Sequence, residues 1–228
     1  WDIKHMVKLL VMSRAYRQGS IATDELTRRD PLNSFFGRQA RYRLPAEMIR
    51  DNALALGGLL VLDYGGASSK PYQPPGYYRH LNFPQRQYRH HADARQYRRG
   101  VYVHWQRQFL HPMLKAMDAP SREECTARRA RSNTPTAAMV LLNDPSFFEA
   151  ARAFAQRIVN EGGKTQKQRL EYAYRVALSR MPDEQERQIL GKLWLAARDE
   201  LTGEGAELVA WQAVARAILN CSELNTRN

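Results

Sequence analysis

Apolar side chains at the start of the chain, Ile3, Val7, Leu10, Val11 and Tyr16, recur at near-helical spacing, and the run stops at Gly19. That spacing predicts a first amphipathic helix. Residues 20–43 are polar and arginine-rich, with Asp30-Pro31 and Asn33 as turn formers and Phe35-Phe36 as the expected anchor to a core. A second helix opens at Pro45, whose missing N–H costs nothing in a first turn, and Glu47 follows where the helix dipole favours an anion. The apolar run of residues 53–62 is interrupted by Gly57-Gly58 and falls far short of the roughly 18–20 residues of a membrane span, so it reads as core helix.

Regularity then lapses. Residues 71–78 hold three prolines and three tyrosines, and a basic run interleaved with aromatics follows: Arg86, Tyr88, Arg89, His90, His91, Arg95, Tyr97, Arg98, Arg99. Val101, Val103 and Trp105 alternate as in a strand, whereas Val101, Trp105 and Phe109 also fit one helix face. Beyond residue 119 helix starts are dense. Ser121-Arg-Glu-Glu124 has the form of a capping box, and Thr134-Pro135 and Asp144-Pro145 each place a capping side chain before a first-turn proline, so three successive helices are predicted. The helix from Pro145 should bury Phe148, Ala151, Phe154, Ala155 and Ile158 and end at Gly162-Gly163. Another over 167–179 turns Leu170, Tyr174, Ala177 and Leu178 inward. A second capping box, Asp183 to Glu186, opens a helix through Leu190, Leu193 and Trp194, and the last, over 206–219, carries Leu208, Trp211, Val214, Ala215 and Ile218. The fold class this predicts is mainly α: a multi-helix bundle with a long irregular Pro/Tyr/Arg-rich insertion and at most a minor β element.

Composition sharpens the picture. With 228 residues, 43% of them hydrophobic, the chain can bury a proper core as one large domain or two closely packed small ones. Its opening on Trp1, inside an amphipathic pattern, suggests that residues 1–228 are a single domain of a larger protein. Residues 141–228 carry equal numbers of basic and acidic side chains, so the whole net charge of +12 lies in residues 1–140. A basic half beside a near-neutral helical half favours a polyanionic partner: nucleic acid, anionic polysaccharide, acidic lipid headgroups or an acidic neighbouring domain. The plainer reading is a solvated basic face. Cys125 and Cys221 fit either one long-loop disulfide or two buried thiols. No CxxC, CxxCH or Cys/His zinc pattern occurs, so neither covalently attached haem nor a standard zinc site is expected in this segment.

The binding candidates are Arg86, Arg89, Arg95, Arg98 and Arg99 with Tyr88 and Tyr97, because guanidinium forks match phosphate, sulfate and carboxylate while phenol rings stack on bases or sugars. The same residues could instead form a loop held down by its tyrosines. A buried Arg98 or Arg99 would need a carboxylate, for which Asp51 and Asp118 are the expected partners. Asp118, Arg129, Asn133, Asn143 and Asp144 fall at element ends and read as an architectural polar cluster that orders short helices. His80, His90, His91, His104 and His111 lack helical metal spacing and are expected to be solvated, with no metal site. There is no GxSxG elbow, phosphate loop or dinucleotide fingerprint, and the four tryptophans are expected in the core.

The stretch DAPSREECTARRARSNTPTAAMVLLNDPSFFEAA, residues 118–151, resembles the signature of a planctomycete-type, cytochrome-associated C-terminal domain family of unknown function. WDIKHMVKLLVMSRAYRQGS, RYRLPAEMIRDNALALGGLL, YRRGVYVHWQR and AWQAVARAILNCSEL are similar to its other blocks, in its order, and so cover nearly the whole chain. Thr136-Ala137-Ala138-Met139 and His104-Trp105-Gln106-Arg107 depart from its usual residues. The resemblance implies the C-terminal module of an exported multidomain protein in the periplasm or cell envelope, with haem only in upstream domains, and implies no reaction. Together with the charge it leads to a non-catalytic binding or scaffold module whose basic face meets another domain of its parent or an anionic glycan. The alternatives are part of a polysaccharide-acting hydrolase or oxidoreductase with a composite site and, with charge but no motif, nucleic-acid binding.

Overall fold

Helices dominate the computed structural model, which describes residues 1–80, 85–200, 203 and 205–227. The chain divides into one unit of Trp1–Arg43 with Thr226–Asn228 and a second of Leu44–Asn225. The boundary falls beside Leu44, away from the change in charge near residue 140.

In the smaller unit, α1 (Ile3–Met12) is capped by Asp2, whose carboxylate accepts the His5 N–H at 2.9 Å. It stops short of Gly19 because the Ser13 hydroxyl turns back onto the Leu10 carbonyl at 2.7 Å. The amphipathic face is present, yet no residue of α1 is buried. A short α2 (Asp24–Arg29), capped by Thr23, appears in the stretch that reads as irregular. Phe35 and Phe36 do not anchor a core; they are 85% and 77% exposed. The cause is Asp30, whose buried carboxylate gathers the Ser34 and Phe35 N–H groups at 2.7 and 2.8 Å and closes a tight turn with both rings outward. Trp1 is exposed as well, against the expectation for the tryptophans. The minor β element is one antiparallel pair, β1 (Tyr42–Arg43) with β2 (Thr226–Arg227), in register Tyr42 to Arg227.

The larger unit holds the core. Its helices are α3 (Ala46–Leu56), α4 (Pro112–Ala116), α5 (Pro135–Asn143), α6 (Pro145–Glu161), α7 (Gln166–Leu178), α8 (Glu184–Asp199), α9 (Ala206–Leu219) and α10 (Ser222–Asn225). α6 is central: it packs along α9 and also touches α3, α5 and α7, while α8 covers the other side of α9. Phe147, Ala150, Ala151, Phe154, Ala155 and Ile158 of α6 meet Trp211, Val214, Ala215 and Ile218 of α9, all at most 2% exposed. The small residues among them let the helix axes approach closely. Phe147 rather than Phe148 is the buried ring, one position from the expected face. At the α3–α6 crossing a Cβ on Gly57 would stand 2.9 Å from the Ala150 carbonyl, so only glycine ends α3 there. The predicted caps form at Thr134, Asp144 and the Asp183–Glu186 box.

The helix expected at Ser121 does not form. Arg122 takes φ 63°, outside helical space, and its guanidinium stacks 3.9 Å above Trp105, whose indole donates to the Ser121 carbonyl at 3.3 Å. The residues that follow, Thr126 to Thr134, supply almost no apolar side chain to bury a helix face. Residues 101–109 are neither strand nor α-helix: two 3₁₀ turns, Ala94–Tyr97 and Gly100–Tyr102, lead into extended chain in which Val103 bridges to Ser69. Cys125 and Cys221 are free, one exposed and one half-buried, so they are neither a disulfide nor two buried thiols.

Candidate anion-binding site

The irregular insertion is fixed from beneath by one arginine. Ala46, Ile49, Arg50, Ala53 and Leu54 follow the i, i+3, i+4, i+7, i+8 stripe that a helix turns to its core, so Arg50 lies in the buried row of α3. It is 1% exposed. Its guanidinium donates to the Arg98 carbonyl at 2.8 Å and to the Gln96 carbonyl, and its ion pair with Asp51 is 3.7 Å long. The Asp51 carboxylate also accepts the Gly100 N–H at 2.6 Å. Burial lowers the Arg50 pKa, opposed by Asp51 and Asp144, and burial raises the pKa of both carboxylates. Gly100 must lack a side chain, since a Cβ there would lie 2.7 Å from the Glu47 carbonyl of α3.

Arg98 faces away from α3 and ties down a second strand of loop. Its guanidinium donates to the carbonyls of Asp63, Gly65 and Ala67 and lies 4.2 Å over the Tyr102 ring, whose hydroxyl accepts the Gly65 N–H at 3.0 Å. Backbone carbonyl oxygens, in place of the expected Asp51 or Asp118, therefore make this buried arginine tolerable. Further along, Val61 takes the Tyr97 carbonyl, Ser69 the Tyr102 carbonyl at 2.7 Å, and His104 the Ser69 carbonyl at 2.7 Å. The insertion thus has backbone ladders without regular strands.

Aromatic rings fill its interior. Tyr78 meets Tyr88 and Phe109 edge-on, both at 5.6 Å, and Tyr77 stands at 89° to Phe109 at 6.0 Å. The Tyr77 and Tyr88 hydroxyls donate inward to the carbonyls of Leu110 and Pro71, at 3.0 and 2.7 Å. Burial raises the pKa of all three phenols, so they stay protonated through neutral pH. His111 is buried beneath them, with one ring nitrogen on the Tyr72 carbonyl at 2.8 Å and Nδ1 unpaired; burial pulls its pKa down to about 4. Above the rings opens a cleft of about 620 Å³, walled by Tyr77, Tyr78 and Tyr88 and rimmed by Arg79, Gln85, Arg86 and Gln87.

The candidate residues separate by role. Arg86 and Arg89 are exposed, and Arg86 reaches the Gln106 side chain at 3.2 Å. Arg95 is exposed but forked onto Asp93, at 2.7 to 3.0 Å. Arg99 is half-buried and acts electrostatically on Asp51. Tyr97 bonds Glu149 of α6, and burial together with that carboxylate pushes its pKa up to about 12. The basic run is thus divided between exposed side chains, Arg86, Arg89 and Arg95, and side chains at least half-buried in the loop, Arg98 and Arg99. Arg50, Gln73, Arg79, Gln85 and Gln87 are additions; the helical stripe could have found Arg50, whereas the cleft residues carry no pattern.

The polar cluster is distributed. Asp118, at φ 60°, accepts the Ser132 N–H at 2.7 Å and its hydroxyl; Arg129 pairs with Glu47 of α3 at 3.0 Å. Asn143 bonds the Met139 carbonyl of its own helix at 3.0 Å, Asp144 caps α6, and Asn133 is exposed. Of the histidines, His111 is buried rather than solvated. Among the described residues no three His, Cys, Asp or Glu side chains converge where a metal could sit, and no helix is long and apolar enough to cross a membrane.

No curated protein and no solved structure matches the chain. A family model does match, over residues 1–194, so it spans α1, the arginine-braced insertion and the bundle as far as Trp194 but stops before α9. The chain belongs to the PSD1 family, proteins of unknown function (DUF1553).

Proposed function

We propose that the chain is a non-catalytic binding module of an exported multidomain protein, and that its Arg/Tyr-rich insertion holds an anionic partner: an anionic glycan or an acidic domain of the same parent. The observation that carries this is the division of labour among the arginines. Arg50 and Arg98 are spent inside on backbone carbonyls, which fixes the loop, while Arg79 and Arg86 remain exposed at the rim of the tyrosine cleft and Arg89 is exposed just after it in sequence. A loop held rigid before binding loses little entropy when it takes a ligand. The cleft's ionisable groups are guanidiniums and protonated phenols, which hold charge and shape rather than move protons. Export and the multidomain context rest on the resemblance of five sequence blocks to a family found at the C-termini of such proteins.

The test is retention on a sulfated-glycan matrix. Arg86→Ala with Arg89→Ala should elute at clearly lower salt than the parent chain, with thermal unfolding little changed, because both side chains are exposed and the one cross-loop bond removed, Arg86 to Gln106, is itself exposed. Arg98→Ala is unsuitable, since it removes a structural brace. Elution of the double variant at the parent's salt concentration would remove the basis for the proposal.

A further inference from the structure

We infer that the cleft between residues 73–79 and 85–88 is a subsite for one acidic sugar unit, a pyranose bearing a carboxylate or sulfate, within the anionic partner proposed above. This rests on the anion-binding reading and narrows it. The volume, about 620 Å³, falls in the range of small-ligand sites and suits one or two sugar rings. Two of the wall tyrosines have their hydroxyls engaged away from a ligand: the Tyr77 and Tyr88 phenols donate to the Leu110 and Pro71 carbonyls. A π-face with its hydroxyl occupied elsewhere attracts the polarised C–H face of a pyranose.

Around those walls stand the two kinds of polar group that an acidic sugar needs. Gln85 and Gln87 are exposed amides, each able to donate to and accept from ring hydroxyls. Arg86 uses one nitrogen on the Gln106 side chain, at 3.2 Å, which orients its fork and leaves further N–H groups for an anion; Arg79 stands across the cleft.

The ring geometry separates a sugar from a nucleobase. Tyr78 crosses Tyr88 at 77° and Phe109 at 64°, Tyr77 crosses Phe109 at 89°, and Tyr77 and Tyr78 are tilted by 39°, so none of these ring pairs is parallel as a sandwich around a flat base would need. Single-stranded nucleic acid is gripped by successive open stacking faces along a groove. A sugar ring needs only one face, with amides at its edge.

The full chain should be titrated by calorimetry with a trisaccharide containing one uronic acid, its carboxyl-reduced form, its sulfated form, linear polyphosphate and a single-stranded oligonucleotide. The inference expects the uronic trisaccharide to bind at least about tenfold more tightly than the reduced form, since a charge-assisted contact is lost. It also expects Gln85→Ala with Gln87→Ala to weaken the trisaccharide severalfold and to leave polyphosphate binding unchanged. Both substitutions are on exposed side chains, so folding is not at stake, and a thermal melt verifies it. Comparing uronic and sulfated forms assigns the natural anion. If every polyanion binds alike and the glutamine variant changes nothing, the subsite is wrong and the anion-binding module stands. Tightest binding to the oligonucleotide would overturn it in favour of nucleic acid. If no anion binds, both readings fall.

Discussion

Replacing Arg50 by alanine removes the guanidinium on which the insertion rests, and its cost can be worked from the contacts. Arg50 is 1% exposed, so the Arg98 carbonyl loses its donor in a place water does not reach, and the Gln96 carbonyl keeps only the Ser69 hydroxyl at 3.3 Å. Each buried carbonyl left unpaired costs about 1–3 kcal/mol. The Asp51 carboxylate, 3.7 Å away, and Asp144 lose the cation that opposes the burial penalty raising their pKa values. Part of this is returned, because Arg50 is itself desolvated and its Nε has no partner. Breaking a buried charge pair from one side typically costs about 3–5 kcal/mol, which overlaps the carbonyl sum, so the expected loss is about 3–5 kcal/mol in all. For a chain of this size each kcal/mol moves Tm by about 2–4 °C, so Tm should fall by about 6–20 °C. Urea titration followed by far-UV circular dichroism gives the free energy, and calorimetry gives Tm. Arg50→Lys keeps the charge near Asp51 and Asp144 but cannot span both carbonyls, and should lose about half as much. A loss below about 1 kcal/mol for the alanine variant would place it among ordinary surface substitutions and refute the bracing role.

Two further predictions concern the same region. The His111 pKa of about 4 lies below its ordinary 6.5, so its contribution is complete above pH 6.5 and is lost as pH falls toward 4, about 3 kcal/mol in all; His111→Gln, which keeps a donor for the Tyr72 carbonyl, should flatten the stability curve across that window, and an unchanged slope would show that another group titrates there. Gly100→Ala places a methyl 2.7 Å from the Glu47 carbonyl and should destabilise by about 1–3 kcal/mol as the loop shifts off α3, read from the urea midpoint; an unchanged midpoint would mean the loop is not seated where the structure has it.

What could be read from the sequence depended on whether a local rule had a local cause. The helices from α5 to α8 were legible because each combines a capping side chain with an apolar stripe, as at Asp183–Glu186 with Leu190 and Trp194, and α9, which starts at Gly205 with no capping side chain, was legible from its stripe alone. Ser121–Glu124 carried the same capping letters and made no helix, since no apolar stripe follows it and Trp105, distant in sequence, draws Arg122 out of helical space. Five-residue α4 is too short to show a period. Arg50 does leave a sequence signal, as the charged residue inside the apolar stripe of α3. The cleft does not, because Tyr77, Tyr88 and Arg86 are brought together by cross-loop hydrogen bonds that leave no spacing in the sequence.

The same contacts change what the net charge of +12 means. Counting arginines in residues 86–99 suggests one continuous cationic strip, but Arg98 is consumed by carbonyls, Arg95 by Asp93, and Arg99 is partly offset by Asp51. The buried arginines act as hydrogen-bond forks, which is what lets a segment with so few regular elements keep one conformation. The cationic surface that this segment offers is therefore short: Arg79 and Arg86 rim the cleft, and Arg89 is exposed close by in sequence. A short cationic surface beside a shaped cleft makes binding depend on ligand shape more than on polymer charge density, and its salt dependence should be shallower than the net charge alone would give.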